Sequence, residues 1–229
     1  MRLAHLSLTN VRSFERLDLD FEPGVHVIHG ENGTGKTNLL EAVGLLSTAH
    51  RARPGRDGEL INWRAIAEDP LPAAQLSAIV ATEHERTSLD ITIMSRQVGG
   101  REGESAETPT ASRRFRVNGI ARRASDLIGR LRTVMFSADD VALIDGAPAG
   151  RRRFLDVTIS QLEPLYVRAL QRHARVLVQR NSLLRRLLER RGDPGELDFW
   201  DAEIASAAAV LVRSRVAPRI AARPGRRAA

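Results

Sequence analysis

An α/β body followed by a helical lobe is the fold class that three features of this sequence predict. Short runs of alternating apolar residues fill the first third. One of them, Val25-His26-Val27-Ile28-His29, enters a glycine-rich segment that leads straight into a stretch with apolar residues at helical spacing. Beyond about residue 137 the period is that of helices rather than strands. A strand–turn–helix unit among further strands predicts helices packed on a sheet.

Taken in order, residues 3–8 and 17–21 alternate as strands around a turn at Asn10-Val11-Arg12-Ser13, and residues 25–29 form a third strand. Residues 37–46 read as a helix, and 50–58, rich in Arg, Pro and Gly, as a loop. Two more strands are predicted at 75–82 and 88–95, then a polar loop at 99–112. A short strand at 114–117 ends at Asn118-Gly119, a hairpin signal. Residues 121–130 read as a helix and 133–136 as a strand. Ser137 three residues before Asp140 marks a capped short helix. A helix at 151–162 follows. Pro164 then opens a helix to about residue 191, which would span roughly 42 Å at the usual rise. Tyr166, Leu170, Leu177, Leu184 and Leu188 mark its apolar seam, and Arg168, Arg172 and Arg175 share another face. A turn at 192–195 returns the chain through a helix at 199–216, making a helical hairpin. The expected organisation is a nucleotide-binding lobe with an incomplete sheet (1–136), a basic helical lobe (137–218) and a disordered tail (219–229).

The glycine-rich segment carries the chemistry. Gly30-Glu31-Asn32-Gly33-Thr34-Gly35-Lys36-Thr37 satisfies G-x-x-x-x-G-K-[ST] at a strand-to-helix turn, the context the motif requires. Lys36 is also the only lysine among 35 basic residues. Glycines let the backbone curl its N–H groups around a phosphate, and the following helix N-terminus adds partial positive charge. Lys36 would reach the β- and γ-phosphates of ATP, and the Thr37 hydroxyl would bind Mg²⁺. The plain alternative is a glycine-rich turn before an ordinary helix.

Composition narrows the remaining classes. The 229 residues suit one large or two small domains, with 42% apolar residues for a core. There is no cysteine, which excludes disulfides and thiolate metal sites, and the six histidines show no metal-ligand pairing. With no long apolar run and no secretory-type leader, a cytoplasmic protein without a membrane span is expected. The net charge of +7 is uneven: residues 1–110 carry 11 basic and 16 acidic groups, residues 111–191 carry 18 and 7. A basic middle third points to a polyanion, nucleic acid first. An arginine-rich codon bias would explain the preference for Arg but not its clustering.

Several stretches resemble known families. Leu6-Ser7-Leu8-Thr9-Asn10-Val11-Arg12-Ser13-Phe14 and the loop through Asn38-Leu39-Leu40-Glu41-Ala42 resemble the ABC/SMC-type ATPase heads. Met135-Phe136-Ser137-Ala138-Asp139-Asp140 and Gly146-Ala147-Pro148-Ala149-Gly150-Arg151-Arg152-Arg153-Phe154-Leu155-Asp156 resemble the RecF family of DNA repair proteins more narrowly. Gln179-Arg180-Asn181-Ser182-Leu183-Leu184 and Trp200-Asp201 extend the likeness, which covers about residues 1–216. The resemblance implies an ATP-binding, DNA-binding protein of recombinational repair, replication and the SOS response. It also implies an ATP-dependent homodimer, binding at single-strand/double-strand DNA junctions, and RecO- and RecR-type partners. Arg12 and Ser13 are implied to approach the nucleotide phosphates, with a purely structural turn as the equal alternative.

The chain departs from that pattern in one respect. No Ser-Gly-Gly-type signature and no apolar run ending in paired acids follows Val216. Val134-Met135-Phe136-Ser137-Ala138-Asp139-Asp140 imitates such a run, but two small residues intervene, and helix capping is the preferred reading. ATP turnover by these residues alone is therefore expected to be slow or absent, as in a truncated or frame-shifted reading. Arg151, Arg152 and Arg153 at a helix start oppose the helix dipole, so an anion is expected nearby. Asp156, a nucleotide, a DNA phosphate or an internal ion-pair cluster would serve. Two alternatives from other classes are a small phosphotransferase, with Asp139 or Asp140 serving Mg²⁺, and a non-catalytic fragment that binds DNA or partners.

Overall fold

Alternation in the first twenty residues becomes a hairpin. In a computed structural model that describes residues 1–51, 55–96 and 110–216, β1 (Arg2–Val11) pairs antiparallel with β2 (Phe14–Asp20), setting Leu6 opposite Leu19 and Leu8 opposite Leu17. The far edge of β1 pairs with β3 (Ala73–Ala81), followed by β4 (Arg86–Arg96), β5 (Thr110–Val117) and β6 (Ile120–Arg122). The strand order is β2-β1-β3-β4-β5-β6, and every pairing is antiparallel.

The period of two sorts the side chains. Leu6, Leu8, Leu76, Ala78, Leu89, Ile91 and Ile93 are buried on one face. They form one core with Leu39, Ala42, Leu45 and Leu46 of helix α1 (Lys36–Thr48) and Leu127 of α3 (Ala124–Leu127). The opposite face carries Ser7, Ser77 and Asp90, with Ser77 Oγ donating to Asp90 over 2.8 Å. This is the pattern of an antiparallel sheet with one solvated side. A hydrogen bond from Ser7, then one from Arg16, holds the Asp18 carboxyl below its usual range.

Local chemistry also explains what differs from expectation. Asn118 (φ 51°) and Gly119 (φ 74°) both take the left-handed conformation that a two-residue hairpin turn needs. The turn sends Ile120 back against Val117 and Arg122 against Phe115. The helix expected over 121–130 therefore shrinks to α3. Between the loop and β3 the sequence showed no element. The chain there forms a 3₁₀ turn (Asp57–Leu60) and helix α2 (Trp63–Glu68), whose start is capped by Asn62 accepting from the Arg64 N–H at 2.8 Å.

Two expected strands, 25–29 and 133–136, are not formed. Val25 is 94% exposed and Val27 81%, and Val134 and Phe136 are 92% and 89%. A strand needs a neighbour to take its N–H and C=O groups, and neither run has one among the described residues.

The chain divides into two units, Met1–Asp140 and Val141–Ala229. In the second unit, short α4 (Ala142–Asp145) precedes α5 (Pro148–Leu162), α6 (Pro164–Leu188) and α7 (Glu196–Val216). Pro148 and Pro164 stand at first helical positions, where a missing N–H costs nothing. Helices α6 and α7 form the expected hairpin. Its seam is partly the expected one: Tyr166 is buried and Leu170 packs beside it, with Ala169, Val176 and Leu183 also buried, whereas Leu177 is 39% and Leu188 85% exposed. Tyr166 and Ala169 cluster with Leu211 of α7, and Leu170 and Val210 pack against them. The loop expected at 99–112 falls mostly, and the tail at 219–229 wholly, outside the described residues. Among the described residues no helix is long and apolar enough to cross a membrane.

Candidate phosphate-binding site

The segment Gly30–Thr37 forms a loop whose glycines all lie at positive φ: Gly30 at 149°, Gly33 at 87° and Gly35 at 96°. Gly35 is the N-cap of α1, yet no side chain caps that end and no acid stands in the first turn. The first amide groups of α1 are thus left for an external acceptor, at the positive pole of the helix. Thr34 Oγ1 donates to the Glu31 carbonyl at 2.9 Å and tightens the loop. The Lys36 ammonium donates to the carbonyls of Gly30 (2.8 Å) and Glu31 (2.6 Å), so it lies across the loop. Glu31, Asn32, Gly33, Thr34 and Thr37 are exposed. Left-handed glycines, an uncapped helix start, one cation and an exposed threonine hydroxyl are a donor set that fits a nucleotide phosphate with its Mg²⁺. Among the described residues no cluster of three His, Asp or Glu could hold a metal by itself.

A second element meets this loop. A Cβ on Gly35 would lie 2.6 Å from Ser13 Oγ and 2.8 Å from the Phe14 ring, so the β1–β2 turn touches the loop where only glycine fits. Ser13 Oγ accepts from Asn38 Nδ2 at 3.0 Å. Arg12, itself at φ 53°, gives Nε and Nη2 to the Glu41 carboxylate at 3.1–3.3 Å and Nη1 to the Glu59 carbonyl at 2.9 Å. Its own N–H donates to the Leu60 carbonyl and its C=O accepts from Asn62 Nδ2 at 2.7 Å. Ser13 therefore borders the loop, while Arg12 beside it is engaged with Glu41, Glu59, Leu60 and Asn62.

Glu41, Asn38 and Asn62 are the members that sequence reasoning missed. Glu41 had a readable signal: an acid inside Leu39-Leu40-Glu41-Ala42-Val43, on a helix whose neighbours are core, needs a buried cation. Glu41 is buried at 9% exposure and has two, Arg12 at 3.1 Å and Arg51 at 3.6 Å. Asn62, 2% exposed, had no comparable signal.

The arginines chosen from the sequence are used in different ways. Arg151 Nη1 donates to the Gly146 carbonyl at 2.9 Å, and at longer range to Leu143 and Ile144, so it caps the C-terminal end of α4. Arg152 is exposed and makes no ion pair among the described residues, while Arg153 is exposed but partnered. Asp156 is engaged on the side of the α6–α7 helix pair. It accepts from Tyr166 and pairs with Arg215 at 2.7 Å. On α6, Arg172 makes a two-pronged pair with Glu203 at 2.6–2.9 Å, which removes it from the set of uncommitted cations. Arg168 and Arg175 face solvent and make no ion pair among the described residues. Asp140, the imitation of a catalytic acid, accepts from the Ser137 N–H at 2.6 Å as a cap.

Known proteins can be set beside this geometry. Residues 5–130 match the AAA domain family. The DNA replication and repair protein RecF of Roseiflexus castenholzii is 44% identical over 223 residues, and that of Chloroflexus aurantiacus 39% over 221. Both alignments cover 94% of this chain and 55% of the relative. The chain thus spans about half the length of the curated relatives it matches. Among solved structures it is similar to the recombination mediator protein RecF of the RecFOR pathway in its ATP form. That likeness has a TM-score of 0.78 and 27% identity, covering 93% of this chain and 52% of that one.

Proposed function

Because the chain belongs to the AAA domain family and is homologous to RecF over nearly all its length, we propose that it is an ATP-binding and DNA-binding protein of recombinational repair, replication and the SOS response. The observation that carries the reading is the loop itself: left-handed Gly33 and Gly35 open a helix with no capping side chain and no first-turn acid, and Lys36 lies across it. Backbone amides of the loop and of the first turn of α1 would bind the phosphates, Lys36 would neutralise the β- and γ-phosphates, and Thr37 would contribute a ligand to Mg²⁺. The bound metal would supply charge neutralisation between those phosphates.

Support for the DNA half is electrostatic. Arg168 and Arg175 stand on the solvent face of α6, and Arg152 is exposed on α5. Guanidinium groups without internal partners bind phosphate oxygens and release counter-ions. In this reading the partners are DNA at single-strand/double-strand junctions, RecO- and RecR-type mediators, and a second copy in the presence of ATP. In this reading hydrolysis by these 229 residues is slow, since Asp140 is engaged as a helix cap.

The test is titration of the purified chain with ATP and Mg²⁺. Lys36→Ala is expected to lose at least tenfold in affinity. Equal binding by the variant and the parent would overturn the reading.

A further inference from the structure

Helix α2 turns large apolar side chains to solvent where a surface helix ordinarily carries charge. Trp63, one of the two tryptophans of the chain, is 68% exposed, Ile66 47%, and Leu71, just beyond the helix, 75%. Trp63 and Ile66 are three residues apart and share one face. Beside them opens a cleft of about 430 Å³ lined by Asn10 of β1, Glu15 of β2, and Arg64, Glu68 and Asp69. Three carboxylates there meet one guanidinium, and that one is already committed: Arg64 pairs with Glu15 and stacks over the Trp63 ring at 5.3 Å. Glu68 makes no ion pair among the described residues. Asp69 uses one oxygen to accept from the Leu71 N–H at 2.8 Å. The surface stands on a fixed base. Asn62, 2% exposed, caps α2 and donates to the Arg12 carbonyl, and Leu60 and Ile61 before it belong to the core.

We propose that α2, with Leu71 and the cleft of Glu15, Glu68 and Asp69, is the docking surface for a basic segment of a partner protein, one that carries an arginine beside an aliphatic or aromatic residue. The chemistry of the surface selects this occupant. Contiguous exposed apolar side chains rimmed by polar groups mark protein-binding surfaces, and tryptophan is among the residues that carry most of the affinity at them. The excess of carboxylates attracts a cation and repels DNA or any other polyanion. Arginine fits best, because its planar fork can serve two carboxylates at once while its aliphatic stem lies on an apolar neighbour such as Trp63. The Arg64–Glu15 pair joins two exposed side chains, so opening it for an incoming guanidinium costs little. A second copy seated symmetrically on the same surface would set the carboxylates against one another. The fixed base of α2 leaves little backbone to order on binding.

The probe is a phage-displayed library of random peptides, selected on the immobilised 229-residue chain and counter-selected on the Trp63→Ala, Glu68→Lys double variant. Both positions are exposed, so the variants should unfold at the temperature of the parent. Enriched peptides are expected to carry arginine close to Leu, Phe or Trp. One of them, made synthetically, is titrated against the chain in a Trp200→Phe background, where Trp63 is the sole tryptophan. Its emission should move to shorter wavelength as the ring leaves water. The anisotropy of the labelled peptide should show Trp63→Ala and Glu68→Lys each weakening binding at least tenfold, and a peptide with its arginine replaced by glutamate should not bind. Failure of any sequence to enrich, enrichment of acidic or uncharged sequences, or equal affinity of parent and variants for the peptide would each overturn the proposal. Sedimentation velocity of the chain alone tests the rival occupant. Association between copies that Trp63→Ala abolishes would assign the surface to a second copy, and the partner segment would be refuted.

Discussion

Tyr166 is the only tyrosine in the chain, so its ionisation can be followed without interference from another phenol. It is fully buried at the start of α6. Its hydroxyl donates to Asp156 of α5 and accepts from Arg215 Nε of α7 at 2.9 Å, and Arg215 Nη2 reaches Asp156 at 2.7 Å. Burial, and then the hydrogen bond to the Asp156 carboxylate, push the phenol up from 10.0 to about 12. The same contacts raise the Arg215 guanidinium, led by its bond to Asp156. The sign follows from linkage. The folded state resists losing the phenolic proton, so the stabilisation is complete below pH 10 and disappears as the pH rises towards 12. Two pKa units correspond to about 2.7 kcal/mol. Asp156 and Arg215 keep 20% and 26% of their side chains exposed, and solvent screening there reduces the figure to about 1–2 kcal/mol.

Two measurements test this. The near-ultraviolet absorbance of tyrosinate should rise with a midpoint near pH 12 in the folded chain and near 10 in concentrated urea, where the phenol is free. Tyr166→Phe removes the hydroxyl but leaves the Asp156–Arg215 pair, and should cost about 1.5–3 kcal/mol at pH 8, the range for hydrogen bonds to charged partners. The difference between parent and variant, from urea unfolding followed by circular dichroism, should shrink between pH 10 and 12. Other titrating groups cancel in that difference. A folded-state midpoint near 10, or a difference that does not change with pH, would refute the network as drawn.

Further expectations concern both units. Gly35→Ala places a methyl 2.6 Å from Ser13 Oγ at φ 96°, so it should cost about 1–3 kcal/mol in thermal unfolding and abolish measurable ATP binding. Replacing Arg168 and Arg175 together by Gln should weaken DNA binding for all sequences alike and lower the salt slope by about 0.9 per lost phosphate contact. An unchanged slope in competition titrations would remove α6 from the interface. Val25→Thr and Val27→Thr should change stability by less than about 0.5 kcal/mol, as for exposed sites, whereas Leu76→Ala, fully buried in β3, should cost about 2–5 kcal/mol. Denaturant midpoints of the three variants decide whether 25–29 is unburied.

The phosphate loop was legible because its constraint is local. Glycine spacing and the lysine that follows specify left-handed backbone and a helix start without help from distant residues. The helices of the second unit were legible for the same reason, their hydrogen bonds closing within each segment. Their packing was less so. Of the expected seam of Tyr166, Leu170, Leu177, Leu184 and Leu188, Tyr166 and Leu170 pack with Ala169 and Leu211, while Leu177 and Leu188 lie exposed and Val176 and Leu183 are buried instead. The partners of Arg12, Arg172 and Asp156 lie 29, 31 and 59 residues away, and no spacing rule reaches that far.

The two strands that failed to form make the same point from the other side. Val-His-Val-Ile-His alternates as well as Leu6-Ser7-Leu8 does, and an argument from pattern alone treats them alike. What separates them is supply. Leu6 and Leu8 have β2 on one edge and β3 on the other, and α1 beneath. Residues 25–29 and Thr133-Val134-Met135-Phe136 have no paired edge among the described residues, and Val25, Val27, Val134 and Phe136 remain exposed. β-propensity describes how well a side chain suits a pleated, half-covered surface, so it has no force until a neighbouring strand creates that surface. The run 25–29 leads directly into Gly30, and with no paired strand among the described residues the loop's entry is anchored through α1, the contacts of Ser13, Phe14 and Gly35, and those of His26 with the Glu22 carbonyl and the Phe21 ring. Any strand that came to pair with residues 25–29 would therefore stiffen the phosphate loop from its other end, and nucleotide affinity would rise with no new contact to the nucleotide, because less ordering would be left for binding to accomplish.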